Sequence, residues 1–346
     1  MPIKSLNSNK NLTERRTGWT TGTTATAATV ATVLDMLTGE TPDVVSVELP
    51  AGEVLEIPII VRSGKIGALK DAGGDVDATD GVFIYANISK LEDEKFIIEG
   101  GDGVGRVTKR GLSVPVGQAA INPAPRKMIE YNVRKFYPTG GLKVVISAEN
   151  GAEIAKKTFN ERLGIVGGIS ILGTTGFVEY KSERALIDSI KREIDVVCAE
   201  GAEYVWLVPG HIGENALKKV LSDKLNKTFI VQMSNFAGES LTYMREKGYK
   251  SIGLAGHAGK LAKLAMGYPD THSARSPQAN EYVQKLFGLE RHINTIEEVS
   301  TPEYANQFQL LACEIATRVR QDYGFTGVNV RLFNMEALLL STSAES

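Results

Sequence analysis

Five basic residues, Arg106, Lys109, Arg110, Arg126 and Lys127, stand between Gly100 and Lys127 against one acid, Asp102. In a chain of formal net charge −2 this local concentration suits charge-assisted hydrogen bonds to carboxylates or phosphates, although a solvated loop face is the plainer reading. The opposite sign gathers in KDAGGDVDATD, with Asp71, Asp75, Asp77 and Asp80. Their spacing fails the calcium-loop pattern, so they offer a proton acceptor or ribose ligand, or simply acidic turn caps. A third feature is RRTGWTTGTTATAA, in which seven of the thirteen residues from Thr17 to Thr29 are threonine. A helix starting near Thr24 would aim its first N–H groups at the Gly18–Thr24 loop, an end that attracts anions, with Arg15 and Arg16 beside it. A capped helix after a flexible tail is the plain alternative.

Two glycine loops invite cofactor readings. IIEGGDGVG, residues 97–105, follows an apparent strand and partly resembles the first motif of common S-adenosylmethionine methyltransferases, with Glu99, Gly101, Gly103 and Gly105 as its contacts. The helix that should follow is replaced by VTKRGLSVPVG, whose Gly111 and Pro115 oppose one. LAGHAGKLAK imitates a phosphate loop, but Leu254 and Leu261 stand where a Walker sequence needs Gly and Ser or Thr, which excludes that class of nucleotide hydrolysis.

These residues need elements to position them. From Ala25 to Leu37 apolar residues Val30, Val33, Leu34 and Leu37 recur at helical spacing, and Gly39 ends the segment. Strand-like runs then alternate with turns, with one further helical stretch, PAPRKMIEYNVRKFY, so residues 1–163 read as an α+β domain. From Gly164 the texture changes. AEYVWLVPGHIGENALKKVL, TFIVQMSNFAGESLTYMREKG and YKSIGLAGHAGKLAKLAMG each read as strand, glycine-bearing loop and helix. Residues 164–346 are therefore expected to form an α/β Rossmann-like domain with a mainly parallel sheet, whose ligands sit at the carboxyl ends of the strands, near His211, Asn235 and His257. With 346 residues, 42% hydrophobic and 23% charged, the chain has an ordinary globular composition, and its pI of about 6.2 favours neither nucleic acid nor an anionic membrane. Cys198 and Cys313 form no CxxC pair, which argues for a reducing compartment and against a cysteine metal site. The amino-terminal stretch lacks the apolar run of a signal peptide, so a cytoplasmic location is expected.

The segments RTGWTTGTTATAA, KDAGGDVDAT, GGDGVGRVTKRGLSVPVGQAAINPAPRKMI, KKTFNERLGIVGGISILGTTG, SNFAGE and GHAGKLAKLAMGYPDTHS resemble, in order, those of the CbiD family of cobalt-precorrin-5B C1-methyltransferases, from about Arg16 to Ser273. The resemblance implies methyl transfer from S-adenosylmethionine to carbon 1 of a contracted tetrapyrrole in anaerobic cobalamin synthesis, giving cobalt-precorrin-6A, on a fold other than that of the tetrapyrrole methylases. It implies a substrate with many carboxylate arms, held by Arg16, Thr20, Thr21, Thr23, Arg106, Lys109, Arg126 and Lys260. Trp19, Ile121 and Phe236 are candidates for an apolar floor beneath the ring. The methyl donor would lie against Glu99, Gly101, Gly103, Gly105 and Asn235, and Asp71, His257 and His272 are candidates to accept the proton released on methylation. No metal ligand is expected, and a homo-oligomer stays open. Thr24 stands where the family commonly has Cys, which argues against an obligatory thiol. His211 and Asp270 each stand where Asn is common. Two other classes are a noncatalytic corrinoid carrier and a dinucleotide oxidoreductase, the latter opposed because no GxGxxG opens any helix of the second half.

Overall fold

The computed structural model describes residues 17–178, 183–222 and 228–343. Two compact units divide the chain, Met1–Lys109 with Ser113–Ser182 and Arg110–Leu112 with Glu183–Ser346. The division falls later than the change of texture at Gly164, because residues after Gly164 pair with strands far back in the chain.

In the first unit, strand β1 (Gly18–Trp19) leads into helix α1 (Thr21–Thr38). Hairpin β2 (Val44–Glu48) and β3 (Val54–Pro58) follows, then β4 (Ile60–Arg62), β5 (Lys65–Leu69), β6 (Phe83–Leu91), β7 (Phe96–Gly100) and β8 (Arg106–Val107). Helix α2 (Pro123–Arg134), β9 (Gly141–Ala148), α3 (Gly151–Ala155), β10 (Ile165–Val166) and β11 (Phe177–Val178) complete it. The main sheet has the order β4-β5-β6-β9-β7, antiparallel except for the parallel pair β7–β9. Short β10 pairs with β8, and β11 with β1. Helices α1 and α2 pack together, and α1 lies against β5 and β6.

Helix α1 is buried at every position from Thr21 to Ala31, which small residues permit. Thr24, Thr26, Thr29 and Thr32 turn their hydroxyls back onto carbonyls four residues earlier, at 2.7–2.9 Å, so polar atoms enter the core already satisfied. Burial all round also explains why an apolar stripe predicts its inner face poorly: Val30 and Val33 are core, whereas Leu37 is exposed. Gly39 closes the helix at φ 77°, donating its N–H to Asp35.

The second unit comprises α4 (Glu183–Ala199), β12 (Val205–Val208), α5 (His211–Val220), β13 (Phe229–Gln232), α6 (Ala237–Glu246), β14 (Ser251–His257) and α7 (Ala258–Ala265). Then come α8 (Asn280–Phe287), α9 (Ala305–Tyr323), β15 (Gly327–Phe333) and β16 (Leu339–Thr342). Its sheet has the order β13-β12-β14-β15-β16, parallel through the first four strands, with β16 antiparallel at the edge. The larger core, on one face, gathers residues of α4, α6, α7, α8 and α9, while α5 covers a smaller cluster with Trp206, Val208, Ala255 and Phe333. Strand order reverses between β12 and β14, a topological switch point. No described helix is long and apolar enough to cross a membrane.

Candidate functional site

The basic segment of the first unit is partly drawn together by α2 and the β8 turn. Arg106 and Arg126 line a cavity of about 350 Å³ with Ile98, Glu99 and Gly100 at the end of β7 and residues 117–119. Arg126 is half-buried. Its Nε donates to the Ile121 carbonyl at 2.9 Å and its Nη1 to the Ile98 carbonyl at 2.7 Å, which fixes the guanidinium plane. Burial pulls its pKa below the ordinary arginine value, and no carboxylate among the described residues forms an ion pair with it. Arg106 donates from Nη1 to the Gly117 carbonyl, and Glu99 is paired with Lys143 at 2.9 Å. A fixed, partly desolvated guanidinium without a counter-ion matches a ligand carboxylate. Lys109 is exposed and does not line this cavity; its stem lies so close to Gly164 that a Cβ there would meet Lys109 Cγ at 2.4 Å. Arg110 belongs to the second unit, where it lies near Glu200.

The threonines expected to hold a substrate arm are engaged inside the protein. Thr20 is the N-cap of α1, one turn earlier than expected, and accepts from the Thr23 N–H at 3.2 Å. Thr21 Oγ1 donates to the Ser170 carbonyl at 3.0 Å and accepts from the Leu172 N–H at 2.9 Å, while Thr23 Oγ1 donates to the Gly176 carbonyl at 2.8 Å. All three are at most 7% exposed; the Thr20 hydroxyl is spent within the helix start, and those of Thr21 and Thr23 tie α1 to residues 170–176. Arg16 lies outside the described residues. The glycines after Glu99 also have internal reasons. A Cβ would meet Ser147 Oγ at 2.4 Å from Gly101, the Ala148 carbonyl at 2.0 Å from Gly103, and Ile165 Cγ2 at 2.5 Å from Gly105. The loop is therefore packed against its own unit and gives a nucleoside no cradle at these three Cα atoms. Nor is there an apolar floor of the expected composition: Ile121 and Phe236 are core residues, and Trp19 anchors its indole N–H on the Leu69 carbonyl at 3.1 Å.

The acidic loop is built largely of caps. Asp71 Oδ1 accepts from the Gly73 N–H at 2.8 Å, and Asp80 from the Ala72 N–H at 2.7 Å. Asp77 pairs with the buried Lys70 ammonium at 2.5 Å. Burial pushes the Asp77 carboxyl up, but Lys70 and the Thr79 N–H together outweigh it and hold the group below its ordinary value.

In the second unit, His211, Asn235 and His257 stand at the carboxyl ends of β12, β13 and β14. His257 caps α7: Nδ1 accepts from the Gly259 N–H at 3.2 Å, so the network assigns the proton to Nε2, which donates to Glu297 at 2.9 Å. His272 likewise accepts the Ala274 N–H on Nδ1 at 3.1 Å. Both rings thus use Nδ1 to cap the backbone of their own loops, and Asp71 Oδ1 caps its turn in the same way. The Asn235 carbonyl accepts from the Thr271 N–H at 2.9 Å, joining the loop after β13 to the loop after α7. Lys260 is half-buried on α7; burial first, then the neighbouring Lys263 charge, pulls its pKa down, with Asp270 opposing. Gly210, just before α5 at the switch point, escaped the sequence reading. Its φ of 172° is extended and any residue adopts it; nothing lies within 4 Å of a Cβ built there, which holds for no other described glycine outside the left-handed region. No group of three or more His, Cys, Asp or Glu among the described residues is arranged to hold a metal.

The comparisons with known proteins agree with these segments. The CbiD family model matches residues 8–180. A cobalt-precorrin-5B C(1)-methyltransferase of Ruminiclostridium cellulolyticum is 47% identical over 273 residues, 76% of this chain and 70% of that protein. One of Treponema denticola is 42% identical over 308 residues, covering 84% and 83%. The crystal structure of the cobalamin biosynthesis protein CbiD from Archaeoglobus fulgidus is 30% identical, with a TM-score of 0.41, over 77% of this chain and 84% of that one. On the strength of the family match and of relatives alike over most of both lengths, this chain belongs to the CbiD family.

Proposed function

We propose that this protein methylates carbon 1 of cobalt-precorrin-5B, with S-adenosylmethionine as the donor, to give cobalt-precorrin-6A in the cytoplasm. What carries the reading is the likeness, over 84% of the chain, to an enzyme of that name. The cobalt is part of the substrate. When bound, the sulfonium donor supplies an already activated methyl group, so the protein's part is to bind, orient and exclude water. Arg126, held by two backbone carbonyls, and Arg106 present cations to a carboxylate arm. The second unit reads as Rossmann-like and distinct from the tetrapyrrole-methylase fold. The donor fits its switch point better than the Glu99–Gly105 loop, because Gly210 is open at its Cα where Gly101, Gly103 and Gly105 are closed by the chain. Asp71, His257 and His272 are assigned no proton transfer; they cap and orient the backbone.

The test is anaerobic incubation with cobalt-precorrin-5B and S-adenosylmethionine. Mass spectrometry should show one methyl group gained, with matching release of S-adenosylhomocysteine. Tetrapyrrole binding without that release would favour a noncatalytic carrier and refute the proposal. Arg126→Gln should raise KM about 10- to 100-fold with a smaller change in kcat, as expected for loss of one charged hydrogen bond.

A further inference from the structure

Helix α7 carries Lys260 and Lys263 one turn apart, so they lie on one face. Lys263 is only 7% exposed, yet its ammonium meets neutral acceptors alone, the Thr271 carbonyl at 3.1 Å and Ser276 Oγ at 3.0 Å. Lys260, half-buried beside it, has no hydrogen-bond or ion-pair partner among the described residues. Asp270 is near enough for its charge to favour the Lys260 ammonium, but it bonds neither lysine: its Oδ2 is bridged to Arg275 at 2.8 Å and its Oδ1 accepts from the His272 N–H at 2.8 Å. Two ion pairs stand on elements packed against this helix, Glu297 with His257 and Asp322 with Arg318. Two cations are thus drawn partly out of water with no carboxylate bonded to either, an arrangement that costs stability and that an anion from outside would relieve.

We propose that Lys260, with Lys263 fixed behind it by Thr271 and Ser276, forms a binding site for a ligand carboxylate. The inference rests on the methyltransferase reading for the identity of that ligand, and two sources share the chemistry. One is the amino-acid carboxylate of the methyl donor; the other is an acetate or propionate arm of the tetrapyrrole. Lys260 makes the contact. Lys263 sets the field and the position of α7.

Calorimetry on the full chain distinguishes the sources through two ligand pairs that differ in carboxylates: S-adenosylhomocysteine with 5′-methylthioadenosine, and cobyrinic acid with its heptamethyl ester. Lys260→Gln should weaken the carboxylate-bearing member of one pair by about 10- to 150-fold, the range for one charged hydrogen bond, and leave its partner unchanged. Loss on the first pair assigns the donor carboxylate, and loss on the second a substrate arm. The ligand-free variant should also melt at a higher temperature than the wild type, since an uncompensated cation has been removed. Equal affinities of wild type and Lys260→Gln for all four ligands, equal losses within both pairs, a lower melting temperature, or a wild type that binds none of the four would each overturn the site. Failure of the methyltransferase reading shows separately, as absence of methyl transfer in the incubation above. Lys263→Gln should weaken the same ligand; should it fail to fold, Lys260→Gln decides alone.

Discussion

Thr21→Val separates a structural from a binding role for the threonine-rich opening of α1. Valine keeps the branched shape and similar helix propensity, so the change removes the hydroxyl and little else. Two partners lose their bond: the buried Ser170 carbonyl, at 3.0 Å, and the N–H of the exposed Leu172, at 2.9 Å. An unsatisfied buried carbonyl costs about 1–3 kcal/mol, and loss of a hydrogen bond at an N–H on an exposed residue about 0.5–1.5 kcal/mol. The added methyl returns about 0.8 kcal/mol. The net loss centres on about 2 kcal/mol, which lowers Tm by about 4–8 °C in a unit of this size. The chain has two tryptophans, Trp19 in the first unit and Trp206 in the second. In a Trp206→Phe background, fluorescence during urea or thermal unfolding reports the first unit alone. Thr38→Val serves as the control, because its hydroxyl bonds the Leu34 carbonyl at an exposed helix end and its loss should cost under about 0.5 kcal/mol. A Thr21→Val protein with unchanged melting and a raised KM would refute the structural assignment and restore the binding loop.

The Asp77–Lys70 pair should leave a signature in acid. Because the folded Asp77 carboxyl sits below its unfolded value of 3.8, its stabilisation is complete above that value and is lost as pH falls through the folded pKa. Asp77→Asn should therefore flatten the fall in urea midpoint between about pH 4 and 2, and an unaltered slope would contradict the pairing. His257→Asn retains a capping acceptor and His272→Ala removes an exposed cap, so both should keep the shape of the pH–rate profile. Loss of either limb of that profile would return a proton-transfer role to the histidine changed.

What the sequence made legible follows from which interactions are local. The three strand–loop–helix units of the second half were readable because strands buried on both faces become continuous runs without polar side chains, VWLV in β12 and IGLAG within β14, closed by glycine loops. The boundary was not readable, because β10 and β11 pair with Arg106–Val107 and Gly18–Trp19, and pairings at such separation leave no mark at the segment itself. The start of α1 was misplaced for a different reason. Threonine resembles loop in composition, and only the structure shows its hydroxyls bonded to carbonyls one turn back. Arg106 and Arg126 were candidates by charge alone, whereas their meeting with Glu99 depends on where β7 and α2 stand in three dimensions. Lys263 was overlooked although a signal existed: in KLAKLA it sits between Ala262 and Leu264, both buried, at helical spacing from Lys260.

Glycine shows most sharply why motif reading reaches a limit here. A sequence reports that a side chain is absent, and three unrelated demands produce that absence: a left-handed backbone, close approach of another chain segment, and close approach of a ligand. Gly103 answers the first two together, with φ at 74° and the Ala148 carbonyl 2.0 Å from any Cβ. Gly168 answers the second, where a Cβ would meet the Gly103 carbonyl at 2.2 Å. The loop that most resembles a cofactor motif is thus accounted for by two segments of one unit pressed together. Gly210 answers neither demand, and it stands at the carboxyl end of β12, where parallel sheets of this order admit ligands. Gly210, in the unremarkable stretch VPGH, is therefore the described glycine that the fold itself does not require, and in any glycine-rich chain such a residue is the one to test.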